Sequence, residues 1–167
     1  LLKVARLEAG AIQFKRACIY LIEPVDIAIA TLNPKVESKH QLITLDGEIK
    51  KAQFFGDRDW TAEAIINILK NCIEHTEYGG NILISIEETP IFSRIIIKDS
   101  GEGIDRKDLP HIFERFYKGT STVKTESVGI GLALSKLIIE SQGGTISVKS
   151  KKHEGTKFTI TFLKGII

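Results

Sequence analysis

The apolar residues of this chain recur at two different periods, and each period predicts a different element. In four segments an apolar residue returns at every third or fourth position, which is the spacing of one helix face. These segments predict helices over residues 1–9, 24–33, 59–76 and 131–142. The second helix should end before Pro34, Asp57 or Asp59 should cap the third, and Gly143-Gly144 should close the fourth.

Runs rich in β-branched and aromatic residues fill the segments between these helices and predict strands. The predicted strands cover residues 17–23, 41–46, 52–57, 79–88, 93–99, 145–150 and 156–163. The turn signal Asp46-Gly47 predicts a hairpin of the second and third strands, and the last four strands should form two more hairpins. The pattern therefore predicts an α/β fold, a two-layer sandwich of a mixed, mostly antiparallel sheet packed on three helices.

Composition and charge narrow the class of protein without identifying it. The 167 residues suit one domain, and a net charge of +2 is too balanced to indicate a nucleic-acid-binding surface. The longest aliphatic runs, such as residues 95–97, are far shorter than the ~18 residues that span a bilayer, and no signal peptide opens the chain. Because the chain contains no methionine, we expect it to be part of a longer protein. Cys18 and Cys72 lack metal-ligand spacing, and the apolar surroundings of Cys72 predict a reduced, buried thiol of a cytosolic protein.

A polar stripe runs along the predicted helix 59–76, opposite its apolar face. The apolar face consists of Ala62, Ile65, Ile66, Leu69, Cys72 and Ile73, and the polar stripe of Glu63, Asn67, Lys70, Asn71 and Glu74. A stripe that faces water is the simpler interpretation, but exposed helical positions more often carry Glu, Lys, Arg or Gln than Asn. Asn67 and Asn71 also suit a binding site, because an amide oxygen can coordinate a magnesium ion that already carries substrate phosphates.

Two glycine motifs flank an irregular segment, residues 100–128, whose length of about thirty residues is typical of a functional lid or a disordered insert. In DSGEGI, Asp99 follows a strand and could accept a hydrogen bond from an exocyclic amine such as that of adenine. Gly101 and Gly103 would let the chain fold against a flat ligand. A plain glycine turn with a solvated aspartate explains this motif equally well.

The second glycine motif, VGIGLALS, opens the last predicted helix. Gly129 and Gly131 would leave backbone N–H groups free at the helix N-terminus, where they can bind phosphate oxygens. By itself a Gly-x-Gly before a helix is weak evidence. The motif is neither a P-loop, since no Gly-Lys-Ser/Thr follows, nor a dinucleotide fingerprint, since the third glycine is absent.

Together and in this order, the motifs resemble those of the catalytic and ATP-binding domain of sensor histidine kinases, within the GHKL superfamily. NILKNCIEHT resembles the N box, DSGEGI the first glycine box, HIFERFYKG the F box and VGIGLALSKLIIESQGG the second glycine box. GTKFTITF resembles the closing strand of the family, and LLKVARLEAG resembles the last turns of the second dimerisation helix. The resemblance thus divides the chain into residues 1–14, the end of the dimerisation and phosphotransfer helix with its linker, and residues 15–167, the catalytic domain.

The resemblance implies ATP and Mg²⁺ as cofactors and assigns a role to each motif residue. Asn71 would coordinate the magnesium ion, with Asn67 on the phosphate side and Lys118 reaching the phosphates from the lid, and these three would be the catalytic residues. Asp99 would read the adenine amino group with support from Thr156. The full implied set of nucleotide-binding residues is Asn67, Lys70, Asn71, His75, Asp99, Gly101, Gly103, Ile104, Lys118, Gly129, Ile130, Gly131, Leu132 and Thr156.

Several residues depart from the pattern of the family. ATPases of the superfamily carry a glutamate that activates water at the position of Asn67, and an amide cannot act as a general base. The site should therefore hold ATP without hydrolysing it quickly. Glu74 replaces a frequent lysine, His75 replaces a frequent tyrosine, and Ser127 and Val128 stand where the family often has Gly-Thr or Gly-Ser.

Aromatic and histidine residues outside the motifs have simpler roles by the same resemblance. Phe113 and Phe116 would pack the base of the lid and couple its position to the dimerisation helices. His40, His111 and His153 show no context of a phosphoacceptor, so we expect surface positions for all three.

The function implied is that of a protein-histidine kinase, which moves the γ-phosphoryl group of Mg-ATP to a histidine on the dimerisation domain. The partners would be that domain, in a homodimer of the full-length protein, and a response regulator. The chain would be a cytoplasmic domain of a membrane-anchored sensor, with no contact of its own to the membrane or to nucleic acid. A nucleotide-sensing interaction module with little transfer activity and a GHKL-type ATPase remain the alternatives.

Overall fold

The structure is a computed structural model that describes residues 2–117, 119 and 131–165. Its helices are α1 (Leu2–Glu8), α2 (Ile22–Ser38), α3 (Arg58–His75) and α4 (Gly131–Ser141), with a single 3₁₀ turn at Leu109–His111. Its strands are β1 (Ala17–Tyr20), β2 (Leu42–Gly47), β3 (Gln53–Gly56), β4 (Asn81–Glu88), β5 (Phe92–Asp99), β6 (Thr145–Lys151) and β7 (Gly155–Leu163).

Five strands form the main sheet in the order β2-β4-β5-β7-β6, and β1 and β3 form a separate two-stranded sheet. Only β2 and β4 run parallel in the main sheet, so the predicted α/β fold with a mixed, mostly antiparallel sheet is confirmed. The hairpin predicted across Asp46-Gly47 is wrong. β2 pairs with β4, and β3 pairs antiparallel with β1. A turn signal reports a change of chain direction, but it does not report which strand each side will join.

The core lies between one face of the main sheet and the helices. Along β4, β5 and β7 the buried residues alternate with accessible ones, which is the period of a sheet with one covered face. The buried strand residues that meet the helices are Ile82, Ile84, Ile86, Ile95, Ile97, Phe158, Ile160 and Phe162. The facing positions of α3 are Ile65, Ile68, Leu69, Cys72 and Ile73. All are at most 4% exposed, so one continuous core holds the sheet on the helices.

Helix α2 begins earlier and ends later than the sequence predicts. β1 stops at Tyr20, and the helix starts at Ile22 and continues through Pro34 to Ser38. A proline inside a helix costs about 3 kcal/mol, because it removes one backbone hydrogen bond and crowds the preceding turn. Burial on both sides of the proline offsets this cost, since Leu32 and Val36 are both in the core.

Contacts from distant segments anchor both ends of α3. At the N-terminus the Asp57 carboxylate accepts the N–H of Trp60 at 2.9 Å and, on its other oxygen, the N–H of Lys15 at 2.7 Å. At the C-terminus the Lys39 ammonium donates to the carbonyls of Ile73 at 2.8 Å and Thr76 at 2.7 Å. A cation at the C-terminal carbonyls also complements the helix dipole. The helix that carries the two asparagines is thus held at a defined position along its axis.

Helix α1 packs against the rest of the chain through Val4 and Leu7, which are 1% and 7% exposed. Two ion pairs hold it from the outside: Lys3 with Glu63 of α3 at 2.6 Å, and Glu8 with Arg115. A helix at this end of the chain agrees with the predicted segment 1–9. Within the described residues, no helix has the length and apolar content that crossing a bilayer requires.

The two candidate caps of α3 can be distinguished by mutation. We expect Asp57→Ala to lower the free energy of unfolding by about 1–2 kcal/mol, because it leaves the helix N-terminus and the Lys15 N–H without their acceptor. Asp59→Ala is the matched control. Its side chain is 75% exposed and, among the described residues, forms an ion pair with Arg58 alone, so the change should stay within about 0.5 kcal/mol. Urea denaturation of both variants measures this, and equal losses would contradict the assignment of the cap.

Candidate functional site

A cavity of about 280 Å³ opens between α3, the segment after β5, the start of α4 and the β6–β7 turn. This volume is close to the lower end of the range of roughly 300–1,000 Å³ for small-molecule sites. Six of the residues predicted from the motifs line it: Asn71, His75, Gly103, Ile104, Leu132 and Thr156. Segments that are far apart in the sequence therefore meet at one place, as the order of the motifs predicts.

Asp99, the last residue of β5, does not line the cavity itself: it is 3% exposed and is bonded to the lining residue Thr156. One of its carboxylate oxygens accepts the N–H of Gly101 at 2.9 Å and the N–H of Thr156 at 3.1 Å. The second bond follows from the strand register, which places Asp99 directly opposite Thr156 on β7. The interpretation of Asp99 as a solvated aspartate in a plain turn is therefore excluded.

Burial dominates the electrostatics of Asp99 and raises the pKa of its carboxyl above the usual value. The N–H groups of Gly101 and Thr156, the Cys72 thiol and the nearby His75 act in the opposite direction without cancelling the effect. Burial, followed by the neighbouring Asp99 carboxylate, also raises the pKa of the Cys72 thiol well above its ordinary range. Cys72 is fully buried and unbridged, as predicted from its place in the helix pattern.

Gly101 and Gly103, the two glycines of the first motif, lie close to backbone atoms of other segments. A Cβ atom on Gly101 would lie 2.3 Å from the carbonyl oxygen of His75, and one on Gly103 would lie 2.1 Å from that of Lys151. Gly103 also has a positive φ of 73°, which favours glycine. The motif predicts that these glycines admit a flat ligand. In the structure they are required for close contact with the end of α3 and with the β6–β7 turn.

Glu102, between the two glycines, is a lining residue that the sequence analysis missed. Its carboxylate lies 3.0 Å from Nδ1 of His75, and its backbone carbonyl accepts the N–H of His153 at 2.5 Å. His153 is exposed, as expected, yet it also lines the cavity. An acidic residue inside a glycine motif was the available signal, but its partner could not be identified without the tertiary structure. The other lining residues outside the predicted set are Asp105, Asp108, Ile112, Tyr117, Gly119 and Lys152.

Asn67 and Asn71 occupy different positions relative to the cavity. Asn71 lines it, whereas Asn67 lies one turn earlier beside the N-terminus of α4, with its side chain 3.6 Å from where a Cβ of Gly131 would be. The Nδ2 atom of Asn67 is buried and has no hydrogen-bond partner among the described residues. An amide donor left in this way next to a helix N-terminus is suited to an anionic ligand.

The remaining predicted residues either do not line the cavity or lie outside the described part of the chain. Lys70 is half-buried on the same helix and does not line the cavity. Lys118, Gly129 and Ile130 lie outside the described residues. All five members of the polar stripe of α3 are half-buried, so that stripe does not simply face water.

Contacts of Asp108, Phe113 and Tyr117 anchor the described part of the irregular segment that follows β5. The Tyr117 hydroxyl donates to the buried Asp108 carboxylate, and this interaction raises the pKa of Tyr117. Phe113 contacts Phe158 of the core edge to face, with the ring centroids 6.3 Å apart. Phe116 is 58% exposed, so the prediction that it packs the lid base is wrong. The backbone of Phe116 has a positive φ of 65°.

Side chains of the described residues offer no complete metal site: no group of three His, Cys, Asp or Glu is placed to hold an ion. This agrees with the chemistry expected of magnesium, which binds through substrate phosphates, water and one or two protein oxygens. Asn71 presents such an oxygen-bearing side chain to the cavity. The residues present therefore fit a metal that arrives with a phosphate ligand.

Comparison with known proteins identifies relatives of this fold and site. A family model described as "Histidine kinase-, DNA gyrase B-, and HSP90-like ATPase" matches residues 56–166. The chain is 31% identical over 160 residues to the sensor histidine kinase YvrG of Bacillus subtilis (strain 168), and 30% identical over 169 residues to the sensor protein SrrB of Staphylococcus aureus. These matches cover 95% and 98% of this chain but only 28% of each relative.

Solved structures agree with this result. The catalytic domain of the histidine kinase ThkA superposes with a TM-score of 0.78 at 25% identity, covering 92% of this chain and 97% of that chain. The Acinetobacter baumannii histidine kinase AdeS superposes with a TM-score of 0.79 at 21% identity, covering 97% and 74%. The second likeness shows the shared fold alone.

The buried charge of Asp99 should cost stability in the protein without a ligand. We expect Asp99→Asn to raise the melting temperature at neutral and alkaline pH, since an amide can still accept both backbone N–H groups without carrying a charge. Burial raises the pKa of Asp99 in the folded state, so acid protonates the parent residue and removes the same cost. The gain should therefore shrink as the pH falls through the folded pKa and vanish below the unfolded pKa.

Thermal unfolding across a pH series tests this prediction, with Asp46→Asn, at an exposed position of β2, as the control. The control should show no pH-dependent gain. If Asp99→Asn lowers the melting temperature at every pH, the account of Asp99 as a costly buried charge is wrong.

Proposed function

The chain belongs to the histidine kinase-, DNA gyrase B-, and HSP90-like ATPase family as a domain of the sensor histidine kinase type, and from this we propose that it is a protein-histidine kinase domain. It binds Mg-ATP and transfers the γ-phosphoryl group to a histidine on the dimerisation domain of the same protein. The observation that carries the proposal is the buried Asp99, held by the backbone N–H groups of Gly101 and of Thr156, a lining residue of the cavity.

At the adenine end, Asp99 accepts a hydrogen bond from the exocyclic amine of the purine. A carboxylate that is already buried and fixed suits this role, because a mobile or solvated carboxylate would gain little free energy on binding the amine. Thr156 fixes it through its backbone N–H, while the Thr156 hydroxyl lies 2.9 Å from that of Ser150. Gly101, Gly103, Ile104 and His75 form the wall around the ring.

At the phosphate end, Asn71 coordinates the magnesium ion and Asn67 donates its unpartnered Nδ2 to a phosphate oxygen. The free N–H groups at the start of α4 bind further phosphate oxygens. We assign these to Gly129, Ile130, Gly131 and Leu132, with Lys70 and Lys118 supplying positive charge. Magnesium, when bound, neutralises charge on the β- and γ-phosphates during transfer.

Among the described residues, the acids around the cavity are engaged and do not offer a general base for water. Glu102 is paired with His75, Asp108 accepts from Tyr117, and Asp105 lies 3.7 Å from the ammonium of Lys152. Asn67 carries an amide where hydrolysing relatives carry a glutamate. The bound nucleotide therefore keeps its γ-phosphoryl group until a histidine nitrogen attacks, the bond to the ADP oxygen breaks and a P–N bond forms. This counts against the alternative of a GHKL-type ATPase.

The parts beyond the catalytic domain follow from the same proposal. Residues 1–14 are the end of the dimerisation helix and its linker, and residues 15–167 are the catalytic domain. The full-length protein is a homodimer that passes its phosphoryl group to a response regulator, and this domain is the cytoplasmic part of a membrane-anchored sensor. Glu74 replaces a frequent lysine, so one positive charge is missing at this position. A nucleotide-sensing module with weak transfer is therefore the second candidate.

A transfer assay separates these functions. With labelled Mg-ATP we expect no labelling of this chain alone, because it lacks the acceptor helix. Mixed with a fragment that carries the acceptor helix of the same protein, it should produce acid-labile phosphate on that fragment. Nucleotide binding without transfer would favour the sensing module. Steady ATP turnover by the chain alone, lost on Asn67→Ala, would indicate an ATPase instead.

The magnesium assignment has its own test. The parent should bind ATP more tightly with magnesium than with a chelator, and Asn71→Ala should lose most of this difference, about tenfold, because its metal oxygen is gone. Asn33→Ala is the matched control, since Asn33 is an exposed helical asparagine that contacts only Glu37. Isothermal titration measures both. An Asn71→Ala variant with the full magnesium dependence of the parent would refute the role of Asn71.

A further inference from the structure

The face of the main sheet that points away from the helices carries three lysines side by side. Lys98 of β5 lies directly opposite Lys157 of β7, and Lys157 lies directly opposite Lys149 of β6. Neighbouring strands are ~4.8 Å apart, so the three side chains leave the sheet within about 10 Å. We call these three residues the lysine row. Its outer members are exposed and Lys157, between them, is half-buried.

The lysine row is on the outer face because its sequence neighbours are in the core. Ile97 and Phe158 are both fully buried on the helix side, so Lys98 and Lys157 point to the other side. The same line across the sheet continues through Leu83 of β4 and Thr44 of β2. It contains no carboxylate that could neutralise the lysines.

Nearby lysines of the β6–β7 turn do have acidic partners. Lys151 lies 3.8 Å from Glu154, and Lys152 lies 3.7 Å from Asp105. In the part of the chain that the structure describes, no carboxylate forms an ion pair with any member of the lysine row. Like charges directly opposite each other destabilise a sheet. The row therefore places repulsion on three adjacent strands, and an external anion would relieve it.

We propose that the lysine row is a docking surface for an acidic segment of a protein partner. Two or three carboxylates spaced over about 10 Å, as on one face of a helix or along an extended chain, match the spacing of the three ammonium groups. This proposal does not rest on the proposed function, since none of the three lysines lines the cavity.

The rest of the outer face favours a short protein segment over a broad anionic surface. Its far end carries the exposed acids Asp46 on β2 and Glu87 on β4, the latter paired with Arg94 at 3.5 Å. Asp46 has no ion-pair partner among the described residues, so a lipid bilayer or a nucleic acid that covered the whole face would bring its phosphates against this carboxylate and be repelled. A segment that covers only one end of the sheet would not meet it.

The docking site adjoins the strand ends that hold Asp99. Lys98 directly precedes Asp99 on β5, and Lys157 directly follows Thr156 on β7. A bound segment would thus lie on the opposite face of the strand pair that holds Asp99 and Thr156. The partner and a nucleotide can be bound together, because they occupy opposite faces of the sheet.

The test is binding of a fluorescein-labelled peptide of alternating glutamate and serine, measured by anisotropy. We expect the parent chain to bind it at about 50 mM salt and to release it as the Debye length shortens at high salt. The triple variant K98Q/K149Q/K157Q should lose at least about tenfold in affinity. The control K50Q/K51Q/K107Q removes the same charge at exposed positions that are not part of the row and should stay within about twofold of the parent.

The far-ultraviolet circular dichroism spectra of both triple variants serve as the check of folding and should equal that of the parent. Equal losses of peptide affinity in the two triple variants would reduce the effect to net charge and overturn the proposal. Absence of peptide binding by the parent would overturn it as well. Binding of phosphatidylserine vesicles that depends on the lysine row, together with no binding of the peptide, would also overturn the proposal. The occupant would then be a lipid surface.

Discussion

The carboxylate of Asp99 accepts two backbone N–H groups while almost fully removed from water, and the surrounding strands must be arranged to allow this. One donor, Thr156, comes from the neighbouring strand β7, so the bond exists only in one strand register. A shift by one residue would turn every side chain of β5 to the opposite face and expose the core. The other donor, Gly101, can approach only because it has no Cβ to meet the carbonyl of His75. Register and backbone packing thus support the same carboxylate.

Helix α3 brings the second half of the site to this carboxylate. Asp57 precedes the first residue of the helix and caps its start. Lys39, which follows α2, binds carbonyls at the end of α3. Anchoring at both ends sets where Asn71 and His75 stand relative to the cavity. Preorganisation of this kind reduces the conformational entropy that ligand binding must overcome.

Two features of the molecule oppose its stability, and both involve charge. Asp99 is an acid in a site that raises its pKa, and the lysine row sets like charges on adjacent strands. Natural proteins keep such costly arrangements mainly where they bind something. The two lie on opposite faces of the same strand pair, Asp99 on the buried side and the lysine row toward solvent. The sheet is therefore a shared support for two separate charged features.

The sequence by itself determined the elements whose signals are local, and with them the family. Alternating burial in β4, β5 and β7 and the helical period of α3 are visible as side-chain patterns, because each reports which face of one element is covered. The order of the motifs was sufficient to indicate where the cavity would form. Only the tertiary structure decided the pairing of β2 with β4, the passage of α2 through Pro34, and the contact of Glu102 with His75. Each of these depends on contacts between segments distant in the chain, whose free energy outweighs the local signal and leaves no periodic trace in the sequence.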